Sequence, residues 1–245
     1  MPESVPSSPV AASPEAARSS AAPTSIPALS RAEVRELLFD LPWPELRALA
    51  HQCRLRHKGR HVHVRGLLEF SNVCRRNCRY CGLRHENRHL ARYSLSAAEL
   101  LRAASQAVAA GVDTLVLQSG ETARNPLWLA QVVRGLKERF GLPVTLSVGE
   151  QPREWYALWR EAGADRFLLK HETADARLYA ALHPGYRLAD RLRALSWLAE
   201  LGYEVGSGFM VGVPGQRPES LVDDILLVQR ENRSTVIYTT GEGRY

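Results

Sequence analysis

From residue 62 onward two hydrophobic patterns alternate along the chain. Short apolar runs of strand length are each followed by a longer stretch whose apolar positions recur at helical spacing. The strand-like runs are "VHVRGLLEF", "DTLVLQSG", "PVTLSVG", "DRFLLKHE" and "YEVGSGFMVG". Between and after them lie "ELLRAASQAVAAG", capped by Ser96 and Glu99, then "PLWLAQVVRGLKERFG", "PREWYALWREAG", "DARLYAALH", "LADRLRALSWLAELG" and "PESLVDDILLVQR". These make five strand–helix units. Their strands are continuous apolar runs, as in strands covered on both faces, which predicts a parallel sheet wrapped by helices. Right-handed crossovers curl such an array, so the expected fold class is α/β, a (β/α) barrel of TIM type that is incomplete at about five units. In that architecture the functional groups sit on loops at the C-terminal ends of strands, and polar residues do collect there: Cys74, Gln118 to Glu121, Ser147, Lys170 to Thr173, and Gly206 to Gly208.

Two helices are expected before the barrel portion (62–229), in a helical segment over 30–61. Ser30 and Glu33 form a capping-box signature ahead of "VRELLFDL", and "PWPELRALAHQCRL" follows at helical spacing. Cys53, in the second helix, reads as a small buried hydrophobe. Residues 1–29 are rich in Ala, Pro and Ser and lack an apolar run like that of a secretory signal, so they read as a disordered tail. Arg18 and the serines leave a transit peptide open, whereas Glu3 and Glu15 argue against one. After Gln229 the pattern fails: "RENRSTVIYTTGEGRY" (230–245) is atypical and holds only a weak strand signal in "STVIYTT". A fragment or an altered, frame-shifted end accounts for that, and an exposed sheet edge with poor solubility follows from it.

Composition narrows the class without fixing it. The chain has 245 residues, 45% hydrophobic and 24% charged, as in an ordinary soluble globular protein large enough for one barrel domain. A net charge of +6, spread along the chain, favours anionic ligands in general and is weak support for nucleic acid. No apolar run approaches the roughly 18 residues of a membrane span. Four cysteines in a chain this long make no disulfide framework, which points to a reducing, cytoplasmic setting and a metal. An organellar stroma or matrix is the alternative if the tail is a transit peptide.

Three of the four cysteines, Cys74, Cys78 and Cys81, stand within "FSNVCRRNCRYCGLRHE" at the spacing Cys-x3-Cys-x2-Cys. Thiolates suit zinc, Cu(I) or iron–sulfur clusters. Structural zinc takes four ligands, and His85 completes a Cys3His set in that reading, which makes a zinc-stabilised binding module. Alternatively, three cysteines hold three irons of a [4Fe-4S] cube and leave one iron open.

The cysteine spacing, with Tyr80 just before the last cysteine and a strand just before the loop, resembles the radical S-adenosylmethionine (SAM) enzymes. The segments "EFSNVCRRNCRYCGLR", "RYSLSAAELLRAA", "LVLQSGE", "VTLSVGE", "AGADRFLLKHETA" and "VGSGFMVGVPGQ", in that order, are similar to the [FeFe]-hydrogenase maturase branch called HydE, near biotin synthase and methylornithine synthase. This resemblance covers about residues 31–229. It implies a [4Fe-4S] cluster on Cys74, Cys78 and Cys81, whose open iron binds S-adenosyl-L-methionine and delivers the electron that yields a 5′-deoxyadenosyl radical. It also implies cofactor contacts from Ser147, Glu172 and Arg191, from the Ser119, Gly120 and Glu121 element, from Gly206 and Gly208, and from Tyr80 near the adenine. Thr145 and Lys170 match the family's anion-binding substrate cavity, where Lys170 replaces a more usual arginine and loses its planar fork. The implied substrate is a small or iron-bound cysteine-derived molecule, and the implied partners are a ferredoxin- or flavodoxin-like reductant and other hydrogenase maturases. No nucleic acid or membrane enters the scheme.

Simpler roles exist for several of these residues. Glu172 reads equally as a cap for the helix after the fourth strand, and Arg191 as a solvated face of its own helix. His61 and His63 share a strand face without ligand-like partners and read as ordinary polar residues. Among enzymes, a methylornithine-synthase-like mutase is the nearest rival, while biotin synthase is disfavoured because no cysteine follows Cys81.

Overall fold

The apolar runs become the strands of one parallel sheet. A computed structural model describes residues 28–122, 125–230 and 235–240, the last of these by its backbone. Nearly all of the tail assigned to 1–29 therefore lies outside the described residues. The strands are β1 (Arg65–Ser71), β2 (Thr114–Ser119), β3 (Val144–Ser147), β4 (Arg166–Leu168), β5 (Glu204–Val211) and β6 (Thr235–Thr240), in sequential order β1-β2-β3-β4-β5-β6. Every neighbouring pair is parallel. Each crossover runs through helix: α3 (Ala97–Ala109), α4 (Pro126–Phe140), α5 (Arg153–Glu161), the pair α6 (Ala176–Leu182) and α7 (Leu188–Glu200), and α8 (Pro218–Arg230). This is the open form of a (β/α) barrel, with the five strand–helix units read from the sequence and one further strand.

One apolar layer holds sheet and helices together. Leu115, Leu117, Val144, Leu146, Phe167 and Val205 from the strands meet Leu100, Val133, Leu136, Tyr156, Trp159, Leu195 and Leu198 from the helices, all essentially buried. Because the strands point alternate residues to the helices and to the barrel interior, the interior face receives Gln118, Thr145 and Ser147, and the register sets Gln118 beside Ser147.

The capping boxes read at Ser30–Glu33 and Ser96–Glu99 are both formed, each with its reciprocal pair of side-chain-to-backbone bonds. Helix α1 (Arg31–Arg35) continues as a π-helical turn, Glu36–Asp40, and lies along α8. There Arg31 pairs with Asp223, and Leu29 and Gln229 exchange two bonds of 2.7 and 2.9 Å. Helix α2 (Trp43–Lys58) has no buried residue, so Cys53 is exposed and the expectation of a buried hydrophobe is corrected. The first strand begins at Arg65, three residues later than the apolar run, and pairs from there with Thr114. The weak signal in "STVIYTT" forms β6, whose β-branched residues meet the free edge of β5 from Gly206↔Thr235 to Val211↔Thr240. Among the described residues no helix is long and apolar enough to cross a membrane.

Candidate active site at the barrel mouth

At the C-terminal end of β1 the chain leaves the sheet and makes an irregular loop, 72–92, that carries Cys74, Cys78 and Cys81, all partly exposed. Without regular secondary structure the loop's backbone groups need other partners. Asn72 accepts from the Tyr93 amide and donates to the Ala91 carbonyl, both at 2.7 Å, closing the loop's neck. Arg92 then acts as a hub, its guanidinium donating to the carbonyls of Asn72, Leu83, Arg84 and Asn87. The loop is fastened to its neighbours through Arg75 N–H to the Glu121 carbonyl (2.8 Å) and Arg79 N–H to the Leu182 carbonyl (2.9 Å).

Close approach at the end of β2 explains the glycine there. A Cβ on Gly120 would lie 2.8 Å from both the Cys74 Cβ and the Val73 carbonyl carbon, and would overlap the Val73 oxygen. Gly149 has φ of +76°, and a Cβ there would run into the Glu121 carboxylate.

Beside the loop lies a cleft of about 450 Å³ lined by, among others, Ser119, Glu121, Ser147, Lys170, Glu172 and Arg191. The residues that the resemblance singled out at the ends of β2, β3, β4 and on α7 are thus gathered in one cavity. Gly206 and Gly208 stand in β5 next to it, their carbonyls accepting from the Leu169 and Glu172 amides at 3.0 Å. Thr145 lies one strand position pair deeper; it is buried, and its Oγ1 has no hydrogen-bond partner. Tyr80 does not line the cleft. Its ring packs on Leu178, Leu182, Met210 and Val213, and its hydroxyl bonds His183 Nε2 at 2.9 Å. His183 Nδ1 in turn faces the Tyr179 carbonyl, and burial, with Arg191 nearby, pushes its pKa down to about 4.

Both simpler roles are overturned. The N-cap of α6 is Asp175, which accepts from the amides of Arg177 and Leu178, so Glu172 caps nothing. Instead Glu172 has φ of +67°, the only left-handed non-glycine among the described residues, tied to β5 on both sides by bonds to Gly208 and Met210. Its carboxylate is buried, with Lys170 Nζ 3.8 Å from one oxygen and no hydrogen bond to the other. Strain of this kind is sustained only where the surroundings over-determine it, and it clusters at functional sites. Arg191 is 6% exposed and is not a solvated helix face. It pairs with Glu150 and donates to the Lys170 carbonyl at 2.6 Å.

Sequence reasoning missed the charge chain beneath the cysteine loop. Arg76, 3% exposed, reaches Glu121 at 2.6 Å and Glu150 at 2.8 Å, and its guanidinium lies 3.6 Å from the centre of the Tyr186 ring. Arg75 shares Glu121, and Arg191 shares Glu150. Burial works against the charge on Arg76, and the two carboxylates more than reverse it. Burial likewise works against ionisation of Glu150, and Arg191 and Arg76 overcome it, so its pKa falls. No local motif marks such partners: Arg76, Glu121 and Glu150 come from three different strand ends and meet only in the folded chain.

The thiols feel this cleft directly. Burial pushes Cys78 up to about 11, with Arg76 and Arg191 pulling the other way and Cys81 adding to the rise. Cys81 is raised by burial first and also by Cys74 and Glu172, while Lys170 opposes. Three thiols on one loop, two of them with burial against their charge, suit a cationic group that holds them as thiolates. Among the described residues no three His, Cys, Asp or Glu side chains converge on one ion position, and His85 is exposed. That arrangement departs from a closed zinc site.

Comparison with known proteins gives the same direction. The chain is 48% identical over 187 residues to the [FeFe] hydrogenase maturase subunit HydE of Thermotoga maritima, covering 75% of this chain and 53% of that one. It is 29% identical over 203 residues to 3-methylornithine synthase of Methanosarcina acetivorans, covering 80% and 57%. The crystal structure of methylornithine synthase superposes with a TM-score of 0.79 at 27% identity, over 86% of this chain and 64% of that one. The chain thus spans about half the length of the curated relatives it matches. The profile described as the Radical SAM superfamily matches residues 68–228, from β1 to α8, and on that match this chain belongs to the radical SAM superfamily.

Proposed function

We propose that this chain serves in maturation of the [FeFe]-hydrogenase active-site cluster, as a HydE-type radical SAM enzyme. Membership of the family implies a [4Fe-4S] cluster and S-adenosylmethionine. When bound, these supply one-electron cleavage of a carbon–sulfur bond to give a 5′-deoxyadenosyl radical. Cys74, Cys78 and Cys81 would hold the cluster. Arg191, its guanidinium oriented by Glu150 and the Lys170 carbonyl, suits the methionine carboxylate. The unpartnered oxygen of Glu172 suits a donor, the cofactor's ammonium or a ribose hydroxyl. Ser147 and Glu121 add polar contacts, and Gly120, Gly206 and Gly208 leave room for close approach. Tyr80 braces the loop from behind through His183. Lys170 and Thr145 supply a positive charge and a free hydroxyl for an anionic, cysteine-derived substrate.

The observation that carries this reading is the cysteine loop seated beside a cleft that gathers Ser147, Lys170, Glu172 and Arg191, in a chain 48% identical to the Thermotoga maritima maturase subunit. The likeness to methylornithine synthase favours a second reading, an amino-acid mutase. Anaerobic reconstitution with iron and sulfide tests the chemistry. A brown protein that forms 5′-deoxyadenosine with dithionite and S-adenosylmethionine, and a Cys78→Ala variant that does neither, are the expected results; a colourless protein holding one zinc ion overturns them. Restored hydrogenase activity in cells lacking their own HydE separates maturase from mutase.

A further inference from the structure

We propose that Arg76 is the positioning residue of the cysteine loop: it clamps the loop to the ends of β2 and β3 and keeps a fixed positive charge beside the cluster, favouring the reduced state. The inference rests on the reading that Cys74, Cys78 and Cys81 hold a [4Fe-4S] cluster.

The geometry is that of a clamp. Arg76 lies midway between Cys74 and Cys78, yet its side chain points inward and is 4% exposed, whereas Arg75 beside it is 45% exposed. Its guanidinium forms ion pairs with two carboxylates from different elements, Glu121 after β2 and Glu150 after β3, although its Nε and Nη1 make no hydrogen bond, and the Tyr186 ring closes over it from the α6–α7 connection. The Arg76 carbonyl accepts from the His85 amide at 2.7 Å, so the same residue also joins the two limbs of the loop. A planar, permanently charged fork can hold two carboxylates and an aromatic face together; an ammonium cannot do all three. Cluster potential follows local charge and burial. The charge on Arg76 is closer to the cysteines in sequence than any other buried cation, and its loss would leave Glu121 and Glu150 with one fewer positive partner.

Two substitutions separate the parts of the idea. Arg76→Gln removes the charge and the fork; Arg76→Lys keeps the charge and loses the fork. In the reconstituted full chain, a redox titration followed by electron paramagnetic resonance should show the Arg76→Gln cluster at least tenfold less reduced than wild type at a fixed potential, equal to about 59 mV for one electron. Arg76→Lys should stay within threefold of wild type. Equal potentials in wild type and Arg76→Gln overturn the electrostatic role.

The clamp has its own readout in the cluster-free protein. Alkylation of Cys74 and Cys78, followed by peptide mapping, should be at least several-fold faster than in wild type in Arg76→Lys, which loses the fork but keeps the positive charge beside the thiols, with exposed Cys53 as the internal reference. Unchanged rates overturn the clamp. This second measurement also covers a variant that fails to take up iron. If wild type itself takes up no iron, the cluster reading and the electrostatic role fail together, and the alkylation rates still decide the clamp.

Discussion

Gly120 is a position where one methyl group should be costly at the site. In a Gly120→Ala variant the new Cβ would sit 2.8 Å from the Cys74 Cβ and from the Val73 carbonyl carbon. Ordinary contact begins near 3.4 Å, and the Val73 oxygen is closer still, so the two segments must part by at least about 0.6 Å. The obstructing atoms are backbone and a Cβ, with no flexible tip to swing aside. Parting them pulls on two bonds that fasten the loop, Gly120 N–H to the Ser71 carbonyl (3.0 Å) and Arg75 N–H to the Glu121 carbonyl (2.8 Å). Overpacking of this sort costs about 1–3 kcal/mol. For a chain of this size that lowers the melting temperature by about 2–12 °C. A shift of roughly 0.6 Å also exceeds the ~0.5 Å within which a multi-ligand site keeps its geometry, so cluster occupancy should fall as well. Gly82→Ala, next to Cys81, is the control, because a Cβ there meets nothing within 4 Å and the backbone is not left-handed. Iron and sulfide per chain after anaerobic reconstitution, with a thermal melt of each variant, make the assay. If Gly120→Ala loads iron and melts like wild type, or if Gly82→Ala is equally impaired, the close-approach argument is wrong.

Further predictions concern pH and stability. His183 is buried and neutral, with its pKa pushed from the usual 6.5 down to about 4. As pH falls through that window the unfolded chain takes up a proton that the folded chain refuses, so stability should drop by a total of about 3 kcal/mol between pH 6.5 and 4. Urea unfolding of His183→Gln should show a flatter slope over that range, and an unchanged slope refutes the assignment. Ser96→Ala removes the capping box of α3 and should cost about 0.5–2 kcal/mol by chemical denaturation, with cluster loading intact. Leu136→Ala empties a fully buried position between α4 and the sheet and should cost about 2–5 kcal/mol. A loss below about 1 kcal/mol there means that the α4 interface collapses around the gap.

Local pattern was enough for the elements and for the cysteine motif. Strand-length apolar runs, capping boxes at Ser30 and Ser96, and helical periodicity depend on neighbours a few residues apart, so they can be read one segment at a time. The rule that polar residues at strand ends share one mouth then predicted the gathering of Ser147, Lys170 and Glu172, because parallel strands joined by right-handed crossovers bring all their C-terminal ends to one side, whereas Arg191, on α7, was marked only by the family resemblance. Three local readings failed for want of tertiary information, among them Arg191, which looked like a solvated helix face and is 6% exposed. Cys53 looked buried because helical periodicity cannot say whether a helix has a partner, and among the described residues α2 has none that buries it. Glu172 looked like a cap until Asp175, three residues on, was found in that role.

Residue pattern alone establishes a run of βα units carrying a three-thiol loop after the first strand. Only the folded chain decided which charges neutralise which. Arg76, Glu121, Glu150 and Arg191 are far apart in sequence and ordinary in type. Their pairing follows from strand register and from burial, which makes an unpaired charge too costly to leave at that depth. The left-handed backbone of Glu172 is of the same kind: nothing in "KHETA" announces it, and two bonds to β5 impose it.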